Sequence, residues 1–446
     1  MKRDSDKVIY LRSLGCNKNT VDSEVILTLL KKKGYRLTQT PEEASRIIVN
    51  TCAFIDDAKE EAIDNILELS VYKKNGAKLI VSGCLPQLYH REILNELPEV
   101  DAVVGIGNLE SILDAVNAPD TKRDFPESRE IGCGYREYGM REELLTLPGY
   151  AYVKISEGCS MECSFCLIPK IKGKMRSRLP NNIVEEVRAL QQKGIQEVIL
   201  TSQDTLYYGR DLGIPYGLKS LIEELLKGTN IRFIRTLYLR PSYELFEYIN
   251  IFKRSGVLPY FDIPIQHVSK NILLSMRRVG DYISLKEIIT KIRHYVPEAI
   301  IRTTVIVGFP GETEEDFNLL LHFIEEVQFN HLGVFTFSPQ RETEAYALKE
   351  RVPKRIAEER KNTIFEIQRE ISRRHLRKEV DQVFDVLIEE RFKNDPLYLG
   401  RSYHFAPEVD GVFLLRSEKE IKPGSIVRAK VTSADDYDLH GVLVNY

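Results

Sequence analysis

The chain has 446 residues, more than one ordinary hydrophobic core supports, so two or three separately packed units are expected. Its 63 Lys and Arg nearly balance 66 Asp and Glu, and the net charge of −3 excludes a chain-wide surface for a polyanion; any nucleic-acid contact must be local. No stretch is apolar for long enough to span a bilayer, and the charged start Met1-Lys2-Arg3-Asp4 has no apolar signal core behind it, so a soluble, cytoplasmic protein without a membrane partner is expected.

Over the first hundred residues short apolar runs alternate with amphipathic stretches, the pattern of repeated β-α units around a parallel sheet. Strands are predicted at Val8–Ser13, Arg46–Asn50, Lys78–Ser82 and Ala102–Gly105, and helices near Thr20–Lys33, Asp56–Tyr72, Arg91–Leu97 and Leu109–Val116. Residues 118–145 lose all periodicity and read as a linker. Six further strands are predicted near Tyr152–Ser156, Glu197–Thr201, Arg232–Leu237, Tyr260–Pro264, Ile300–Val307 and His331–Phe337, with helical segments between them. That alternation predicts a partial parallel (β/α)6 barrel, closed by a charged helix near Lys354–His375. After Glu379 short alternating strands follow, at Val383–Ile388, Tyr398–His404, Gly411–Leu415 and Ile426–Ser433, with Pro423-Gly424 as a turn. The expected fold class is therefore α/β: an amino-terminal parallel α/β domain (1–117), a linker (118–145), a partial barrel (146–376) and a small antiparallel, OB-like β-barrel (377–446).

In an intracellular chain, seven scattered cysteines favour metal ligation over a disulfide framework. Cys159, Cys163 and Cys166 sit on one loop after the first barrel strand, spaced Cys-x3-Cys-x2-Cys. Three crowded thiolates hold three irons of a 4Fe-4S cluster and leave the fourth iron without a local protein ligand. An open iron is able to chelate the amino and carboxylate groups of S-adenosylmethionine and to pass an electron to its sulfonium, releasing a 5′-deoxyadenosyl radical. A structural zinc site would favour Cys-x2-Cys pairs and a closed fourth position, and no fourth Cys or His lies nearby. The other cysteines follow predicted strands: Cys16 the first, Cys52 the second, Cys84 the third. In a parallel sheet those loops emerge at one edge, where ligands collect, so the three are expected to hold a second 4Fe-4S cluster, again with one iron open. Each alone reads as a small buried hydrophobe. Cys133, in the linker, reads as a bystander.

The Cys159–Cys166 loop, with Phe165 just before its last cysteine, resembles that of the radical S-adenosylmethionine superfamily, over about Leu147–His375. Two open clusters in this order resemble the methylthiotransferase family over essentially the whole chain, whose architecture is an amino-terminal cluster domain, a radical barrel and a carboxyl-terminal TRAM module. The resemblance implies a two-stage reaction: one S-adenosylmethionine methylates a sulfide at the auxiliary cluster, a second supplies the radical that activates the substrate carbon, and the methylthio group moves to that carbon. It also implies an external reductant such as flavodoxin or ferredoxin and a monomeric enzyme.

Phe165 and the polar strand ends are the expected contacts of S-adenosylmethionine. Ser202 and Gln203 follow the second barrel strand, matching in position the superfamily's motif for the amino group, and equally suit a strand-to-helix turn. Gln266 and His267 end the fourth strand and are expected to face the mouth, though a lone histidine equally reads as a satisfied structural residue. Gly308, Gly311 and Glu312 end the fifth and resemble the superfamily's adenine motif; glycine lets a flat ring approach the backbone. Thr313 to Asp316, next along the chain, reads as a helix cap.

Within the family the substrate is a ribosomal protein or transfer RNA. Ser202-Gln203-Asp204-Thr205 with Tyr208-Gly209, Asp262 to His267, and Ser13 to Asn19 resemble the branch that modifies the β-carbon of an aspartate in ribosomal protein S-twelve of the small ribosomal subunit. Gln340-Arg341 departs from it, standing where a more acidic pair is expected. From Arg377 to Tyr446 there are 10 Lys and Arg against 13 Asp and Glu, a net −3, where binding several phosphates calls for a basic surface. The acidic run Asp435-Asp436-Tyr437-Asp438 is a candidate contact for a basic protein, or an ordinary solvated loop. The expected function is thus methylthiolation of S-twelve, with a transfer-RNA adenosine methylthiotransferase and a non-catalytic iron–sulfur or zinc adaptor that docks on ribosomes as the alternatives.

Overall fold

The computed structural model describes residues 7–106, 109–118, 141–393 and 395–444. Most of the expected linker, Cys133 included, lies outside the described residues. The chain packs as two units, the first made of Met1–Leu145, Ser156–Met161 and Cys166–Ala189 and the second of Thr146–Ile155, Glu162–Phe165 and Leu190–Tyr446.

In the first unit β1 (Val8–Ser13), β2 (Arg36–Leu37), β3 (Arg46–Thr51), β4 (Lys78–Gly83) and β5 (Ala102–Val104) form a parallel sheet in the order β2-β1-β3-β4-β5. Near-continuous apolar runs such as Ile47-Ile48-Val49 and Leu79-Ile80-Val81 are buried on both faces, as a parallel sheet covered by helices requires. The helices are α1 (Asn17–Lys32), α2 (Asp56–Ser70), α3 (Cys84–Glu96) and α4 (Ser111–Asn117). On α2 the buried residues Ala62, Ile66 and Leu69 recur at one-turn spacing and face the sheet, leaving the charged positions to water. The strand order switches direction between β1 and β3, so the crevice that such sheets reserve for ligands opens at the carboxyl ends of those two strands.

Next in the chain, β6 (Tyr150–Lys154) belongs to the second unit, whereas β7 (Ser156–Glu157), α5 (Ile168–Lys172) and β8 (Arg176–Ser177) pack with the first. Leu167 and Ile171 explain the assignment of α5, since both are buried in the core that contains Val49, Ala53 and Cys84. After α6 (Pro180–Gln192), the second unit continues with β9 (Glu197–Thr201), α7 (Gly217–Gly228), β10 (Phe233–Thr236), α8 (Leu245–Tyr248), β11 (Tyr260–Asp262), α9 (Lys270–Ser275), α10 (Tyr282–Tyr295), β12 (Ile300–Val307), α11 (Glu314–Val327), β13 (His331–Thr336) and α12 (Lys354–Arg377). The six expected barrel strands are all present, as two parallel sheets, β10-β9-β6 and β11-β12-β13. Between them the Leu239 N–H donates to Asp262 O at 2.8 Å and Ile234 pairs with Val257. Thr313 and Asp316 make the expected capping box at the start of α11.

The tail, β14 (Val383–Arg391), β15 (Leu397–Arg401), β16 (Phe413–Arg416), β17 (Ile426–Ala434) and β18 (Leu439–Leu443), is a closed barrel in the order β14-β15-β16-β18-β17. The sequence pattern reveals four of these strands; the fifth, β18, closes the barrel by pairing parallel to β16 and antiparallel to β17. Glu197 on β9 accepts hydrogen bonds from Arg235 (2.7 Å) and Arg401 (2.7 Å), and Arg401 also donates to Glu389 (2.9 Å), all of them buried. Burial pushes the Glu197 carboxyl up, but Arg401 and Arg235 outweigh it and hold it below the ordinary range.

His404, 2% exposed, is kept neutral: burial, with His331 and Arg235 adding, pushes its ring down to about 3. An unfolded His404 takes its proton near 6.5, so from there down to about 3 the unfolded chain binds the extra proton and stability falls with pH. Removing the ring in His404→Gln is expected to shrink the stability difference between neutral and mildly acidic urea titrations by about 2 kcal/mol.

Candidate metal centres

Strand register sets the amino-terminal cysteines level. Ser13 on β1 pairs with Asn50 on β3, and Asn50 with Ser82 on β4. Cys16, Cys52 and Cys84 each follow within three residues of that row, on the three loops at the switch of the sheet. Gly15, at φ +86°, turns the first loop onto the second; a Cβ there would stand 2.5 Å from Cys52 Cβ and 3.2 Å from its Sγ. Gly83, at φ +103°, lies equally close to the backbone of Thr51.

One side chain ties the loops together. Asn19 Nδ2 donates to Leu14 O (3.1 Å) and Thr51 O (2.8 Å), its backbone carbonyl accepts from Asn50 Nδ2 (3.0 Å), and the Cys84 thiol donates to its Oδ1 (3.8 Å). Cys16 is the residue ahead of α1, and Cys84 is the first residue of α3, so both sulfurs stand at helix amino termini, where an anion is favoured. The backbone leaves helical geometry inside α3 at Tyr89 (φ −127°, ψ 32°), so the helix predicted at Arg91–Leu97 is its second segment, preceded by a first one that begins at Cys84 with Pro86 in its opening turn, where a missing N–H costs nothing.

Electrostatics show the same convergence. Burial pushes the Cys52 thiol up and Cys16 adds to it, while the N–H groups of Phe54 and Ala53 and the Lys172 ammonium pull it back. Cys84 is pushed far above the thiol range by burial; Lys172 opposes the rise, and Cys52, Cys16 and Glu157 increase it. Three thiols that act on one another, Cys84 buried and Cys16 and Cys52 half-buried, with the buried Lys172 ammonium beside them, suit a cluster that its thiolates make a net anion. Among the described residues no three His, Cys, Asp or Glu side chains gather tightly enough for a single metal ion. A 4Fe-4S cluster asks for less, since each thiolate takes a different iron.

The second cysteine loop is anchored from both ends. In the first unit, Gly158 at φ +78° lies against the carbonyls of Lys172 and Gly173, the Cys159 N–H donates to Gly173 O (3.0 Å), and Cys159 Sγ accepts from the Met161 N–H (3.4 Å). In the second unit, Ser164 donates to Met276 O (3.1 Å) and Ser275 O (2.7 Å), and Arg278 Nη1 points to Cys163 Sγ at 3.9 Å while Nη2 donates to Pro264 O (2.9 Å). Phe165 packs edge-on to Phe309 at 6.5 Å, against a core of Ile272, Met276 and Ala345.

The remaining expected cofactor contacts divide. Gln203 and Gln266 are half-buried at strand ends. Gln266, at φ +69°, continues β12's pairing through Thr304 O and Ile306 N. Ser202 is buried and holds the turn, accepting from the Asp204 N–H (3.1 Å). The space above Gly308, φ +73°, is filled by Ala357, 2.5 Å from where a Cβ would stand, and the Gly311 N–H donates to Glu350 O (2.8 Å). Glu312 is fully buried as a clamp, bonded to the Gly308 N–H, 3.1 Å from Arg360 and 3.4 Å from His267. His267 is fully buried and its Nδ1 accepts from the Ser269 N–H (2.9 Å), which fits the structural one of its two readings. Sequence reasoning missed Asn19, Lys172, Glu157, Arg278 and the Asp204–Arg240 ion pair, over which the Tyr207 ring lies 3.9 Å from Arg240. The acidic run in the tail is occupied internally: Asp435 with His440 (2.8 Å), Asp436 near Arg373 (3.7 Å), Asp438 accepting from the Val412 N–H (2.8 Å).

Comparisons agree with this layout. Residues 8–105 match the uncharacterized protein family UPF0004, 153–324 the radical SAM superfamily and 380–444 the TRAM domain. Membership of the radical SAM superfamily brings a 4Fe-4S cluster and S-adenosylmethionine with it. A solved structure of the radical S-adenosylmethionine methyltransferase TsrM from Kitasatospora setae shares the fold, with a TM-score of 0.57 and 13% identity over 76% of this chain and 77% of that one. No described helix is long and apolar enough to cross a membrane. Among curated relatives, the ribosomal protein uS12 methylthiotransferase RimO of Acetivibrio thermocellus is 43% identical over 98% of this chain and 99% of its own, and that of Aquifex aeolicus 44% identical over 96% and 95%. With identity of that order over nearly the whole of both chains, and family models matched in all three folded parts, the chain belongs to the uS12 methylthiotransferase family of radical S-adenosylmethionine enzymes.

Proposed function

We propose that this enzyme methylthiolates the β-carbon of an aspartate in ribosomal protein uS12, the S-twelve of the sequence reading, with two 4Fe-4S clusters, one on Cys159, Cys163 and Cys166 and one on Cys16, Cys52 and Cys84. The observation that carries the second cluster is the convergence of three thiols from three level strand ends, with the buried Lys172 ammonium beside them. Bound there, the two groups supply an electron for the sulfonium and a seat for the sulfur that is transferred. Gly15 and Gly83 let the loops close on one another, Asn19 fixes their spacing, and Cys16 and Cys84 stand at the amino termini of α1 and α3. Arg278 sets a positive charge beside Cys163. Phe165, Ser202, Gln203, Gln266, Gly308, Gly311 and Glu312 are the proposed surroundings of S-adenosylmethionine; Gln203 and Gln266 are the direct contacts and the others shape the mouth. The enzyme works in the cytoplasm as a monomer, drawing electrons from a flavodoxin or ferredoxin.

The test is anaerobic incubation of the reconstituted protein with S-adenosylmethionine, sulfide and reductant, offering purified uS12 in one arm and transfer RNA in the other, followed by mass spectrometry. Gain of a methylthio group on a uS12 aspartate is expected. The same gain on transfer RNA alone would overturn the substrate assignment.

A further inference from the structure

Lys172 ends α5 with its side chain 1% exposed, a rare place for an ammonium unless something repays its desolvation. Its Nζ lies 2.8 Å from Glu157 Oε1 on β7 and 3.8 Å from Asp22 Oδ2 on α1. Lys172 therefore sits among the elements that carry Cys16, while Leu167 and Ile171 of the same turn pack in the core that holds Cys84 and Ala53. Its charge opposes the rise of both Cys52 and Cys84, and on Cys84 it is the largest influence after burial. A four-iron cluster with three thiolates is anionic in its oxidised form and gains one more negative charge on reduction. Buried charges close to it therefore set its potential more strongly than surface charges do.

From this placement we infer that Lys172 is a positioning residue of the auxiliary cluster, a buried cation that stabilises the reduced form and raises the reduction potential, with Glu157 as the opposing charge that trims its effect. The inference rests on the proposed second cluster and deepens it. The Lys172–Glu157 pair suits a cluster whose charge changes beside it.

The test uses the full chain with Cys159, Cys163 and Cys166 replaced by Ala, so that any cluster present is the auxiliary one, and follows its reduction by potentiometric electron paramagnetic resonance. Lys172→Met is expected to shift the midpoint negative, lowering the reduced-to-oxidised ratio at fixed poise about tenfold, or about 59 mV for one electron. Glu157→Gln is expected to shift it the other way, and Lys172→Arg to stay near the parent. Opposite signs exclude a merely structural effect, which would move both variants alike or lose the signal. If the parent of this set binds no cluster, the reading of Cys16, Cys52 and Cys84 fails. If it binds one and Lys172→Met and Glu157→Gln leave the midpoint unchanged or move it in one direction, the role of Lys172 fails. Should Lys172→Met not hold a cluster, Glu157→Gln decides alone.

Discussion

Replacing Cys16, Cys52 and Cys84 together with Ala abolishes methylthiolation of uS12 while S-adenosylmethionine is still cleaved to 5′-deoxyadenosine under reducing conditions. The two functions separate because the two cysteine sets are anchored separately. The radical loop is fixed by Gly158 against the carbonyls of Lys172 and Gly173 and by Ser164 against Ser275 and Met276, with no bond to the three sheet-edge loops among those contacts. The amino-terminal loops are held by Asn19 and Asn50 instead, so although Leu167 and Ile171 share a core with Ala53 and Cys84, the hydrogen bonds that shape each loop stay its own. Alanine is small enough for all three sites, and at each the backbone is unchanged, so the fold persists and the loss is one of chemistry. Chromatography of 5′-deoxyadenosine beside mass spectrometry of uS12 reads both halves. Equal loss of both products would show that the cysteine sets are not independent.

Glu197→Ala costs about 3–5 kcal/mol of stability, because it leaves the guanidiniums of Arg235 and Arg401 buried without their shared carboxylate. The cost falls on a junction: Glu197 begins β9 of the barrel, Arg235 lies on β10 and Arg401 on β15 of the closed tail barrel, so one carboxylate joins two β structures of the same unit. Arg401 keeps Glu389 at 2.9 Å, and Arg235 keeps the face of Tyr260 at 4.6 Å, which limits the loss without removing it. Glu197→Gln retains an acceptor for one guanidinium and is expected to lose about half as much. Urea denaturation followed by circular dichroism measures both; an alanine variant as stable as the parent would show that the network contributes nothing net.

The central strands of the amino-terminal sheet were legible because they are buried on both faces and so read as unbroken runs of Val, Ile and Leu, as in Ile47-Ile48-Val49 and Leu79-Ile80-Val81. Chain order then places Cys16, Cys52 and Cys84 at strand ends, and sheet topology does the rest. What escaped detection depends on contacts distant in sequence. Lys170, Lys172 and Lys174 look alike in the chain, and only the packing of Leu167 and Ile171 against the amino-terminal core buries the middle one. The start of α3 was hidden by Pro86, whose tolerance in a first turn depends on where the helix begins. The parallel pairing of β18 with β16 follows from barrel closure, which no local pattern announces.

The central claim, two clusters on two sets of three cysteines in one chain, is tested most directly by iron and acid-labile sulfide per chain in three anaerobically reconstituted proteins: the parent, the Ala variant of Cys159, Cys163 and Cys166, and the Ala variant of Cys16, Cys52 and Cys84. The account predicts about eight irons in the parent and about four in each variant. A parent with about four irons, all retained when Cys16, Cys52 and Cys84 are gone, would contradict it.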